Sequence, residues 1–179
     1  MGEDWRGLIV TMLFVKQELL RLDAGGLWPH HHPEVAAGEA RLAAVEARLG
    51  HALDAKHRDF LSYADGWRGF YQTVDLFGTA QLAGGGLMGY AAELLGAVDE
   101  GVLKSSGFSR EELLPIAATP ADKDLFVMTR PYSASPGVVI WLAGEEVDRF
   151  HDFEDYFRAM LDYNRMEVEN LKAESAPPG

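Results

Sequence analysis

Residues 114–118, 125–129, 138–142 and 146–150 are four short runs rich in β-branched and other apolar residues, separated only by turn formers such as Pro120, Ser135-Pro136-Gly137 and Gly144. This feature constrains the fold most. A parallel pair needs a crossover connection of a dozen or more residues, and none of these gaps is long enough. The natural topology is an antiparallel meander.

The rest of the chain reads mainly as helices that would cover such a sheet. Residues 4–22 place Leu8, Met12, Val15, Leu19 and Leu22 at alternating spacings of four and three, with Ile9, Leu13 and Leu20 widening the stripe and Asp4 as its cap. Leu42, Val45 and Leu49 repeat the helical spacing up to Gly50, a left-handed stop. Asp54 then sits where its carboxylate accepts the His57 backbone N–H and starts a helix with Phe60, Leu61 and Ala64 inward. Gly66 reads as the residue just past that helix, which lets Trp67 fold back on Leu61. Residues 70–76 read as one strand, broken at Phe77-Gly78. After Gly84-Gly85-Gly86, Leu87, Tyr90, Ala91, Leu94, Leu95 and Val98 form another helical stripe, and Ser109 to Glu112 makes a capping box. Asp152 caps a final helix with Phe153, Phe157, Met160, Leu161 and Asn164 on one side, widened by Tyr156 and Tyr163. The fold class is α+β, helices packed around a small, mainly antiparallel sheet.

The stretch LAAVEARLGHALDAKHRDFLSYADGW, residues 42–67, resembles the SUKH superfamily, which includes Smi/Knr-like cell-wall regulators and many bacterial immunity proteins. The superfamily signature is roughly (I/V)xxxExxLGxxLPxxYxxFLxxxNG. Val45, Leu49-Gly50, Leu53, His57, Phe60-Leu61 and Asp65-Gly66-Trp67 carry the match. Asp54 stands where proline is usual, His57 where tyrosine is usual, and Asp65 where asparagine is usual; an aspartate fits both a helix start and a turn. Asp75-Leu76-Phe77-Gly78, the Leu-Pro-Ile strand start at Leu114 and the closing aromatic helix extend the likeness over roughly residues 34–164. The resemblance implies a non-enzymatic protein-binding module. Its implied role is immunity, neutralising a bacterial toxin by covering its active surface; the alternative is a regulatory or scaffold domain of the same fold with an endogenous partner.

Three segments follow: an N-terminal helix and linker (1–33), a SUKH-like domain (34–164), and a helix end with a flexible tail (165–179). Deleting residues 1–23 is expected to leave a folded, less stable domain, because the family-like core starts later. The first helix packs on the domain, forms a homodimer seam, or offers a partner surface. The net charge of −12 opposes direct nucleic-acid binding and favours a basic protein partner. Absence of cysteine excludes disulfides and thiolate metal sites. The apolar run 8–15 is too short to span a bilayer and no leader-like pattern surrounds it, so the reading is cytoplasmic, without membrane attachment.

No residue pattern assembles a catalytic site. There is no GxSxG, and His151 beside Asp152 reads as a neighbour of a helix cap. Consecutive histidines such as His30-His31-His32 seldom converge on one ion and lack a fixed outer shell, and the triple glycine lacks a phosphate-loop context, so no metal or cofactor is expected. Asp122, Asp124, Glu145 and Glu146 read as solvated carboxylates beside turns. Together with Trp67, Arg68, Phe70 and Tyr71 they are the candidate contacts for a protein partner, although Trp67 reads first as a core residue.

Overall fold

The computed structural model describes residues 4–179; Met1, Gly2 and Glu3, the start of the N-terminal segment, lie outside the described residues. The chain runs through α1 (Trp5–Leu22), α2 (Glu39–Leu49), α3 (Ala55–Leu61), β1 (Trp67–Tyr71), β2 (Val74–Leu76), α4 (Thr79–Leu82), α5 (Met88–Ala97) and α6 (Glu100–Ser106). It continues with β3 (Leu113–Ala118), β4 (Leu125–Thr129), β5 (Val139–Leu142), β6 (Glu146–Phe150) and α7 (Phe153–Ser175). The strands form one antiparallel sheet in the order β1-β2-β3-β4-β5-β6; the short connections require it from β3 to β6, while β2 reaches β3 through α4, α5 and α6.

β3 and β4 are buried along their whole length, so both faces of the sheet centre are covered. α7 lies against β1 and β6, and α5 packs on β3 and β4. The rings of Tyr71 in β1 and Trp141 in β5 have centroids 6.2 Å apart. Four flat strand spacings would separate those strands by roughly 19 Å, so the sheet curls around α7.

Two local readings change. The expected strand over 70–76 is two strands joined at Gln72-Thr73, with Tyr71 opposite Val74 and Gln72 at a φ of 51°. The fold-back of Trp67 on a helix end is also replaced. α3 stops at Leu61, its cap Ser62 is right-handed, and Trp67 opens β1 with its indole N–H donating to the His31 carbonyl at 2.9 Å. Gly66, at a φ of 90°, serves a close approach instead: an added Cβ would lie 2.6 Å from the Gly78 nitrogen. A Cβ at Gly78 would lie 2.0 Å from the Asp65 carbonyl oxygen. The Asp65-Gly66 turn therefore sits directly on the Phe77-Gly78 backbone. The Asp65 carboxylate locks it by accepting from the Thr79 N–H at 2.6 Å and the Thr79 hydroxyl at 2.7 Å. Helices α4 and α6 carry no periodic stripe long enough to be legible in advance.

The N-terminal helix is part of the main core. Trp5 is fully buried, with ring centroids 5.4 Å from Phe60, 5.6 Å from Phe153 and 5.5 Å from Phe157. Met12 belongs to the same cluster, while Leu19 packs with Val168 and Leu171 of α7. The apolar stripe is consumed within the chain, leaving Val10, Phe14 and Leu20 as the large exposed hydrophobic residues of α1. Lys16, on the same helix, is buried, donates to the Gly69 carbonyl and Asn164, and is pushed down to about 8 by that burial. Among the described residues, no helix is long and apolar enough to cross a membrane.

Candidate functional site: a carboxylate-rimmed aromatic end of the sheet

The register gathers three connections at one end of the sheet. Ala118 pairs with Leu125 and Leu125 with Leu142, so the β3–β4 and β5–β6 loops are neighbours. A hydrogen bond of 2.8 Å between the hydroxyls of Thr73 and Thr119 adds the β1–β2 turn to them. Residues far apart in sequence thereby meet. Tyr71, Trp141 and Tyr163 form an aromatic triad, with Tyr163 5.6 Å from Tyr71 and 5.7 Å from Trp141, the latter pair perpendicular. Behind it Phe126 stacks on Trp141 at 5.1 Å.

Carboxylates surround the triad. Asp124 accepts from the Trp141 indole N–H at 2.7 Å, and Glu167 accepts from the Gln72 side-chain amide at 3.0 Å. Burial, then the charges of Glu167, Tyr163 and Asp124, push the Tyr71 hydroxyl up to about 12. Burial and Asp148 raise Tyr163 in the same direction. Asp122 and Glu145 stand exposed on the adjoining loops. Among the described residues, none of Asp122, Asp124, Glu145, Asp148 and Glu167 has an ion-pair partner, whereas Glu146 is held by Arg149 at 2.7 Å. Uncompensated carboxylates beside the half-buried rings of Trp141 and Tyr163, with Tyr71 itself buried at 9% exposure, suit a lysine or arginine, which gains both charge attraction and contact with the two accessible rings.

The residues singled out from sequence thus separate. Tyr71 and Asp124 come together here; Asp122, whose carbonyl accepts from the Tyr90 hydroxyl of α5, and Glu145 lie on the adjoining loops, and Glu146 lies on β6. Trp67 and Phe70 are fully buried, because β1 turns both inward, and cannot touch a partner of the folded chain. Arg68 points elsewhere, 3.7 Å from Glu34. Trp141, Tyr163, Asp148 and Glu167 belong to the surface but escaped sequence reasoning. Tyr163 had a signal, since it widens the α7 stripe; Asp148 and Glu167 are ordinary polar positions until the sheet curls. The other titratable clusters are structural. His30 pairs with the buried Asp23 at 2.8 Å, and Lys56 is held protonated by its hydrogen bond to Asp152. No group of three or more His, Cys, Asp or Glu among the described residues is placed to hold a metal ion.

The opposite end of the sheet contains His57, fully buried, stacked on Phe153 at 4.6 Å and without a partner for either ring nitrogen. Burial pushes its pKa down to about 3, against an ordinary value of 6.5. Between those values the unfolded chain holds a proton that the folded chain refuses. Stability therefore falls as pH drops below about 6.5, by up to about 1.4 kcal/mol per pH unit from this group. His57→Phe keeps the ring contact and removes the dependence. Urea melts at about pH 7 and about pH 5 are expected to show the variant losing about 2 kcal/mol less than the parent on acidification. Parallel losses in the two proteins would exclude His57 as the titrating group.

Fold and surface together define an α+β module that presents unpaired negative charge at one end of its sheet. The family model described as SMI1 / KNR4 (SUKH-1) matches residues 36–159, and the chain belongs to that family. None of the curated proteins compared with the chain matches it. The matched region begins after α1, although α1 shares the core of the matched region.

Proposed function

We propose that this protein is a cytoplasmic, non-enzymatic immunity protein that binds a bacterial toxin and neutralises it by covering the toxin's active surface. Membership of the SMI1/KNR4 (SUKH-1) family supports an immunity-type module. The observation that carries the charge argument is the carboxylate rim around Tyr71, Trp141 and Tyr163, which lacks cationic partners among the described residues. A toxin that acts on nucleic acid presents cations where it holds phosphates, and a carboxylate rim satisfies those cations while excluding the substrate. The mechanism is steric and electrostatic; it uses no cofactor and changes no covalent bond.

Co-expression tests this reading. A toxin encoded beside the gene is expected to stop growth alone and to spare cells that also make this protein. A neighbouring toxin that kills regardless, with no complex between the purified proteins, would remove the immunity role.

A further inference from the structure

The end of the sheet opposite the carboxylates carries a groove of the reverse character. Where β3 begins and β4 ends, a cavity of about 350 Å³ has Leu82, Met88 and Leu95 on its floor and Arg48, Arg110 and Arg130 at its margin. Arg110 is already committed, to Glu100 and to the carbonyls of Leu95 and Val98. Among the described residues, Arg48 and Arg130 have no carboxylate partner, in a chain of net charge −12.

Both are nevertheless positioned. The Arg48 guanidinium lies against Gly84, where an added Cβ would come within 3.2 Å of it. Arg130 donates to the His51 Nε2 at 3.0 Å, while the His51 Nδ1 lies 2.8 Å from the Ala52 carbonyl. A guanidinium only donates, so the His51 Nε2 is the acceptor of that bond. The Arg130 Nε is buried and has no acceptor. An adjoining chamber of about 190 Å³ shares Leu114 and Arg130 with the groove and reaches His57, whose ring nitrogens are also unpartnered. A buried donor without an acceptor carries the full cost of its desolvation, so the Arg130 Nε on the groove is a sign of a missing polar acceptor, while His57 belongs to the adjoining chamber alone.

We propose that this groove binds a small single-chain amphiphile with an anionic headgroup, carboxylate or phosphate, its headgroup on Arg130 and Arg48 and its chain on Leu82, Met88 and Leu95. Guanidiniums recognise both headgroups. The volume lies at the lower end of small-molecule sites and cannot admit a folded partner. The site lies at the far end of the sheet from the carboxylate rim and is independent of the proposed toxin contact.

The test is an amide NMR titration of the full chain with octanoate, octyl phosphate and octylamine. Saturable shifts at Gly84, Leu114 and Arg130 are expected with an anionic probe and not with octylamine; the tighter anion identifies the headgroup. Arg48→Met/Arg130→Met is expected to weaken binding at least about tenfold. Arg48→Met alone, at an exposed helix position, serves as the second variant if the double variant does not fold, and is expected to weaken binding in the same direction. Three results would overturn the site: no saturation by either anion up to about 10 mM, equal binding of octylamine, or unchanged affinity in a folded variant.

Discussion

Replacing Trp5 with alanine is expected to lower the unfolding free energy by about 3 to 5 kcal/mol, the usual cost of deleting a large aromatic from a packed core. The indole contacts Phe60 of α3 and Phe153 and Phe157 of α7, so its removal opens a cavity where three helices meet. Part of the cost is offset because the Trp5 indole N–H is buried without a partner. Deleting residues 1–23 removes Met12 and Leu19 as well and exposes the apolar side of α7. A loss that exceeds the stability of an ordinary domain, about 5 to 15 kcal/mol, leaves the remainder unfolded. This reverses the expectation from sequence that the remainder folds alone. Urea denaturation and near-ultraviolet dichroism decide it: a truncated chain with a cooperative melt would show that α1 is an accessory.

If the proposed toxin is bound through this rim, neutralising it with Asp124→Asn, Glu145→Gln, Asp148→Asn and Glu167→Gln is expected to slow association about tenfold or more at low salt. Asparagine at 124 retains an acceptor for the Trp141 indole N–H, so the aromatic triad keeps its support. At about 1 M salt, where the screening length is about 3 Å, the rates of parent and variant are expected to converge. Stopped-flow intrinsic tryptophan fluorescence against ionic strength measures both. A parent rate that does not change with salt would remove charge steering as the mechanism. Dissociation reports the rings separately: Trp141→Leu is expected to speed it, since half-buried aromatics act as anchors.

What the sequence by itself determined are the features set by short-range rules. Turn formers at Pro120, Pro136-Gly137 and Gly144 allowed only antiparallel pairing, and the meander follows. Asp54 accepts from the His57 N–H at 3.1 Å, Gly50 adopts a φ of 75°, and the Glu112 carboxylate accepts from the Ser109 N–H at 2.7 Å, because caps depend on residues three or four positions apart. The stripes of α1 and α7 were legible for the same reason, and they pack face to face. Only the tertiary structure decided what those stripes and loops meet. Nothing local shows that Trp5 lies among residues 60, 153 and 157, that Gly66 is needed against Gly78, or that Trp67 and Phe70 are fully buried while Tyr71, nearly as buried, meets Trp141 and Tyr163. The candidate site is a product of sheet curl, which brings β1 to β5 and places Asp124, Asp148 and Glu167 around three rings from β1, β5 and α7. Curl is the accumulated twist of six strands wrapped on one helix, and no window of sequence contains it.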